Sequence, residues 1–243
     1  MINKIFLKFL TFFISLVDYA NKKKIIKFLK NKLKEQNLTI IDIGSHKGET
    51  IELFFNNFDI QKIFAFEPNI ALFELLKKKK KYENDKIEIF NCGVGLNEGE
   101  LDLNIMIDTS SSTFNTMNLD SNYYKKKNKI VNFLSNKKDL IEKIQKVSIV
   151  KLSKIILQND ISNIDILKID TEGFEFNILK GINSNDYKKI KFIYFEHHYD
   201  LMINKGYKFS DIHNLLISCN FKKIYKIRMK FRKSFEYIYE NTL

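Results

Sequence analysis

At 243 residues the chain is long enough for one α/β domain with a sizeable core. Its 2 cysteines, Cys92 and Cys219, form neither a disulfide framework nor a metal-ligand spacing, which excludes a disulfide scaffold and a cysteine metal centre and favours a reducing compartment. The net charge of +12 admits a nucleic-acid partner, yet all but two of the 41 basic residues are lysine, whereas phosphate and base readers favour the arginine fork, so nucleic acid is disfavoured.

Residues 1–37 read as an amphipathic helical extension. Lys4, Lys8, Thr11, Ser15, Asp18 and Lys22 form a narrow polar stripe at spacings of four and three, with Ile, Leu, Phe and Val between them. The stretch from Phe9 to Val17 falls well short of the ~20 apolar residues that span a bilayer. Three placements are open: docking on the domain, pairing with a second copy in a homodimer, or peripheral membrane contact through residues 1–20. A cytoplasmic enzyme, free or peripheral at the inner face of the membrane, is the expectation, because Asp18 suits a signal cleavage site badly.

From Leu38 onward strands and helices alternate, as in a mostly parallel sheet with helices on both faces. The first expected strand, Leu38–Ile43, runs into IDIGSHKGET. Asp42 closes the strand, Gly44 allows a tight turn, and Gly48 lets the backbone come close where the next helix begins. The dinucleotide fingerprint has a third glycine and carries a pyrophosphate; here an acid precedes the first glycine and would repel phosphate. The loop suits a phosphate-free nucleoside bearing an ammonium group, which is the character of S-adenosylmethionine.

The second strand, Gln61–Phe66, ends at Glu67-Pro68, the single proline. Glu67 lies 23 residues after Gly44, the distance at which a strand-end carboxylate reaches ribose hydroxyls. A helix from Asn69 into the lysines 77–81 follows, with those cations suited to a helix C-terminus. The third strand, Lys86–Phe90, places Asn91 and Cys92 where an adenine edge would lie, and Gly93 to Gly99 read as turns. Asn104–Lys146 breaks the rhythm: it lacks clear strand periodicity and reads as a substrate cap or a mobile insertion in a domain spanning 38–243.

The strand Ile164–Asp170 ends in Lys168, Asp170 and Glu172. If the backbone stays extended, all three face one side at the carboxyl edge of the sheet, where open α/β sheets bind ligands. Ile190–Glu196 is the next strand and leads into His197 and His198. A helix over Ser210–Ser218 precedes the alternating run Lys226–Arg232, which reads as a charged edge strand or as a basic row for an anionic partner. His213 reads as a surface residue.

The segments IDIGSHKG, IFAFEPN, FNCGVG and LKIDTEGFEFNILKG, in that order over Leu38–Glu196, resemble the FkbM family of S-adenosylmethionine-dependent methyltransferases. The resemblance implies a Rossmann-like class I methyltransferase fold with an antiparallel C-terminal strand, and O-methylation of a hydroxyl, often on a sugar or secondary metabolite. It implies cofactor contacts at Asp42, Gly44 and Glu67, to which position adds Ser45, His46, Gly48, Asn91, Cys92 and Asp170. Family members commonly have Ala-Asn where this chain has Ser45-His46. The helical extension and the basic strand lie outside the resemblance.

Methyl transfer to an alcohol needs alignment and removal of the hydroxyl proton. Glu172, Asp170 and His198 are the candidate bases, and Lys168 can hold either acid ionised. The lone Pro68 excludes base-methylating enzymes with an Asn/Asp-Pro-Pro-aromatic loop and cytosine enzymes with a Pro-Cys nucleophile. An RNA ribose 2′-O-methyltransferase and a non-catalytic nucleoside-binding module remain alternatives, and a nicotinamide oxidoreductase is disfavoured by Asp42 and the missing glycine.

Overall fold

The computed structural model describes residues 19–33, 37–82, 85–135, 139–230 and 232–243. The polar stripe expected over residues 1–18 lies outside them, as does Phe231. Seven strands form the main sheet: β1 (Leu38–Ile43), β2 (Ile60–Phe66), β3 (Ile87–Phe90), β7 (Ile164–Ile169), β8 (Ile190–His198), β9 (Phe221–Arg228) and β10 (Ser234–Asn241). Their order is β3-β2-β1-β7-β8-β10-β9, with β10 antiparallel to both its neighbours and the other pairings parallel. This is the Rossmann-like arrangement expected. Chain order reverses direction between β1 and β7, so a crevice opens at their carboxyl ends.

The strands alternate, and each face has its own core. On one face Ile41, Ile43, Leu167, Ile169, Ile193 and Phe195 pack against helices α5 (Leu152–Gln158), α6 (Glu175–Lys180) and α8 (Phe209–Ser218). On the other, Ile40, Ile166, Phe192, Tyr194 and Ile238 meet α2 (Glu49–Phe55) and the helical residues 19–32, here α1. Ile25, Ile26 and Leu29 of α1, with Leu33 just after it, form a single stripe, each at most 4% exposed. Asn21 donates to the Arg228 carbonyl and Lys32 pairs with Glu240 at 3.0 Å. A boundary at residue 37 therefore divides one packed unit. Among the described residues no helix is long and apolar enough to cross a membrane.

Two expectations are corrected here. Gly93–Gly99 is more than the expected turns, and Asn104–Lys146 has strand structure that its sequence did not show: β4 (Gly93–Val94), β5 (Gly99–Met106) and β6 (Ile141–Val150) form a second sheet, with β5 and β6 antiparallel from Gly99↔Ile149 to Met106↔Ile141. The pattern was weak because half of β6 is exposed and its inward alternation starts only at Val147. Between these strands a 3-10 turn at Thr109–Ser111 and helix α4 (Asn122–Ser135) complete the segment. The basic run 226–232 is likewise not one strand. β9 stops at Arg228, because Met229, 1% exposed, turns inward against Asn21 while its N–H bonds the Ser234 carbonyl.

Candidate active site

The glycine loop is built by backbone bonds that fan β1 toward β2. The N–H groups of Gly44 and Ser45 both donate to the Phe66 carbonyl at 3.0 Å, and the Ser45 hydroxyl donates to the Asp42 carbonyl at 3.0 Å. Gly44 has φ +85°, and a Cβ there would lie 2.0 Å from the Asp170 carbonyl oxygen. Only glycine lets the ends of β1 and β7 approach this closely. Gly48 (φ +82°) is required for a different reason: a Cβ would lie 2.4 Å from the Tyr82 hydroxyl, which donates to the Gly48 carbonyl.

Glu67 faces this loop from the end of β2. Its Oε2 accepts the His46 N–H at 2.7 Å and its Oε1 the Asn69 N–H at 2.9 Å. Burial pushes its carboxyl up to about 7, against the pull of those two N–H groups. Asn91 does not reach the cleft. Its amide donates to the carbonyls of Glu67 and Pro68 and pins the turn that presents Glu67.

These elements border a cleft of about 560 Å³, counted to its open mouth. Gly44, His46, Glu67, Cys92, Asp170 and Glu172 line it together. Asp42, Ser45, Gly48 and Asn91, grouped with them from sequence, do not: they support the loop from behind. His198 also lies off the lining, directly behind Glu172. The far wall is made of residues that were not named as site residues from sequence, although the segment that carries them reads there as a cap or a mobile insertion. It comes from the insertion, through Thr109, Ser110, Ser112 and Phe114; the serine run 110–112 was its only visible signal. His46 Nε2 reaches Thr109 Oγ1 at 2.9 Å across the cleft, while its Nδ1 meets Glu49 at 3.2 Å.

Behind the loop, Lys168 is 4% exposed and lies 3.2 Å from Asp42 and 3.4 Å from Asp170. Burial disfavours its ammonium, but the two carboxylates outweigh burial and hold its pKa above the ordinary lysine value. Asp170 is held below the usual carboxylate range: burial opposes this, and Lys168, then Lys22, His198 and Arg232 prevail. Lys168 therefore bridges the ends of β1 and β7, and also donates to the Gly44 carbonyl at 3.3 Å.

The expected single row of Lys168, Asp170 and Glu172 is broken. β7 ends at Ile169, and Glu172 and Gly173 take φ of +51° and +96°. A left-handed Glu costs on the order of 1–3 kcal/mol and persists only where its surroundings impose it. Here Glu175 Oε1 accepts from the N–H groups of Thr171 and Gly173, Thr113 Oγ1 donates to the Glu172 carbonyl at 2.7 Å, and Asn115 donates to that of Gly173.

The twist turns the Glu172 carboxylate toward His198, with 3.4 Å between Oε2 and Nε2. Burial pushes Glu172 up to about 7; the His198 charge opposes, while Glu196 and Asp170 add to the rise. His197 points to the opposite face among Tyr199, Tyr207 and Phe209, where burial pushes it down to about 3. His213 is half-buried rather than superficial, bonded to the Tyr239 hydroxyl at 2.8 Å.

Residues 42–223 match the family model of the methyltransferase FkbM domain. No curated protein sequence matches the chain significantly. The fold resembles methyltransferase FkbM from Methylobacillus flagellatus KT, with 15% identity and a TM-score of 0.53; the match covers 84% of this chain and 44% of that one. This chain thus spans less than half the length of that structure. It also resembles magnesium protoporphyrin IX methyltransferase (ChlM) from Synechocystis PCC 6803 with bound SAH, at 8% identity and a TM-score of 0.52, covering 94% and 85% of the two chains. The METTL16 methyltransferase domain is similar at 12% identity and a TM-score of 0.51, covering 93% and 68%. At such identities the likeness is one of fold. Both α1 and β10 lie outside the residues matched by the family model.

Proposed function

Since this chain belongs to the FkbM methyltransferase family and draws its methyl group from S-adenosyl-L-methionine, we propose that it is an O-methyltransferase acting on a hydroxyl of a sugar, glycan or other small metabolite. One observation carries the reading: Glu172, a buried carboxylate forced into a left-handed backbone, lines the cleft beside Asp170 at the carboxyl edge of the sheet. Strain and burial concentrated on one acid suit a group that handles a proton.

The lining fits the cofactor. It carries three carboxylates, Glu67, Asp170 and Glu172, one imidazole and, among the described residues, no lysine or arginine, in a chain with 41 of them. Such a lining favours a cationic, phosphate-free nucleoside over a dinucleotide. Glu67 would hold the ribose hydroxyls, with Cys92 and Phe114 beside the base and Gly44 leaving the backbone open. When bound, the cofactor supplies a methyl group on a positively charged sulfur. Asp170, kept ionised by Lys168, would offer that group a negative charge from the cleft wall. An alcohol is a weak nucleophile until it gives up its proton. Asp170 and Glu172 line the cleft in which that proton would leave, with His198 behind Glu172.

In calorimetry S-adenosylhomocysteine should bind at micromolar affinity or better, and Glu67→Ala should weaken it at least tenfold. Binding of NADH instead, or turnover of bulk RNA that falls steeply with salt, would overturn the reading. The same proposal places the enzyme in the cytoplasm, with residues 1–20 against the inner membrane face on the strength of their wide apolar side. Recovery wholly in the soluble fraction, unchanged by deleting Met1–Ala20, would remove that contact.

A further inference from the structure

We propose that His198 is not the base but a positioning residue, fixed as a cation among Glu172, Glu196 and Asp200, and that the acceptor proton goes to Glu172. The role of Glu172 rests on the methyl-transfer reading above; the charge on His198 does not.

His198 Nε2 faces Glu172 Oε2 at 3.4 Å and Glu196 Oε1 at 3.5 Å, while Nδ1 faces Asp200 Oδ2 at 3.5 Å. A neutral imidazole has one N–H and one bare lone pair. In either tautomer that lone pair would lie within 3.5 Å of a carboxylate oxygen. With these acids ionised, the imidazolium is the form that turns a positive N–H edge to carboxylates on both sides of the ring, at ion-pair rather than hydrogen-bond geometry on the Nε2 side.

The three acids come from different places, and the fold holds each where it is. Glu172 is set by the left-handed turn after β7 and the Thr113 hydroxyl on its carbonyl. Glu196 is on β8, opposite Glu236 of β10, whose Oε2 accepts the Tyr194 hydroxyl at 2.9 Å. Asp200 follows β8 and is anchored through Oδ1 by the Met202 N–H at 3.0 Å. The His198 carbonyl is gripped by the Lys205 ammonium. Rotating the ring away would strip partners from three carboxylates at once.

Other titratable groups reach the cluster from every neighbouring element: Lys168 from β7 and Asp170 just after it, Lys22 from α1, Glu236 from β10, Arg232 from the turn before it, Lys205 after Asp200, and the neutral Tyr123 from the insertion. Their balance favours the cation. Burial disfavours a charged His198, but Glu172, Asp200 and Glu196 together push it up to about 10. A ring that already holds its second proton cannot accept another. Glu172, which lines the cleft, remains as the acceptor, and the cation beside it keeps its carboxyl from rising further.

The test needs no methyl acceptor. Long-range nitrogen–proton NMR on the full chain, carrying nitrogen-15 histidine, reads the protonation of each ring. His198 is assigned by the signal lost in His198→Asn, or by subtraction with His46→Gln, His197→Gln and His213→Gln if that variant fails to fold. The expected result is that both His198 nitrogens stay protonated from pH 5.5 to 8.5. Asp200→Asn should bring its midpoint down at least tenfold in proton affinity, whereas a purely structural role for Asp200 would leave the midpoint unmoved. A His198 that titrates near pH 6.5, or is neutral at pH 7.5, overturns the proposal even if Asp200→Asn cannot be made. S-adenosylhomocysteine calorimetry on the same sample separates the two claims. A bound nucleoside with a neutral His198 defeats this inference alone, and a charged His198 without nucleoside binding defeats the methyl-transfer reading alone.

Discussion

Gly44 shows how a single residue governs the cleft. Two strand ends meet there so closely that a side chain would collide with the Asp170 backbone at 2.0 Å, and backbone cannot swing aside as a flexible side chain can. Gly44→Ala should therefore lower stability by more than the ~1–2 kcal/mol of a left-handed alanine alone, and should weaken S-adenosylhomocysteine at least tenfold. Gly206→Ala is the control. It has a similar φ of +72° but nothing within 4 Å of its Cβ, so urea denaturation should show only the conformational cost. Equal losses in the two variants would mean that the crowding at Gly44 is unimportant. The positions of Asp42 and Glu175 make a related point: an acid can define a site without touching its ligand, by holding Lys168 or by shaping the turn that carries Glu172.

At the scale of elements, two contacts join parts that look unrelated in sequence. Helix α1 covers one face of the sheet, and Leu29, fully buried, packs among residues of β1, β2 and α2. Leu29→Ala should cost about 2–5 kcal/mol in urea denaturation; a loss under 0.5 kcal/mol would show that α1 is only loosely attached. The second contact is the reach of His46 to Thr109, which ties the glycine loop to the insertion over the cleft mouth. Thr109→Val keeps the shape but removes the hydroxyl, a bond worth about 0.5–1.5 kcal/mol. Release of S-adenosylhomocysteine should then speed up roughly two- to tenfold. An unchanged off-rate in stopped flow would rule out the tie as a closure.

For the whole molecule, the main electrostatic feature is a set of buried acids under α1 and the insertion. Burial pushes Glu67 and Glu172 up to about 7 and Glu236 up to about 8. His198 stands at about 10, because its acidic neighbours outweigh burial. In all four groups the folded pKa exceeds the unfolded one. Each thus contributes stability that is full below its unfolded pKa and is lost as pH rises through the folded value. The urea midpoint should fall steadily from pH 6 to pH 9, and Glu236→Gln should flatten the lower half of that fall. A midpoint that rises over this range would contradict the arrangement. Below pH 4 the sign reverses, since Asp170 and Asp200 are held below the usual carboxylate range and lose their partners on protonation.

Much of this was legible in the sequence because it depends on local pattern. Alternating apolar strands and helices gave the parallel sheet, and the glycine loop, Glu67 and the segment Lys168–Gly173 marked its carboxyl edge in the order that a nucleoside cleft requires. The edges of the insertion were not legible, because a hairpin with one solvated face hides its period. The run from Lys226 misled because alternation continues past the residue where the chain turns.

By itself, then, the chain determined its fold class, its family and the strand ends that border the cleft. Only the tertiary structure decided which of those residues face the cleft, which stand behind it, and which proton each can hold. The reason is physical: a charge buried between elements distant in sequence takes its protonation state from neighbours that no local spacing reveals. His198, with its three acids on two loops and a strand, depends on that assembly.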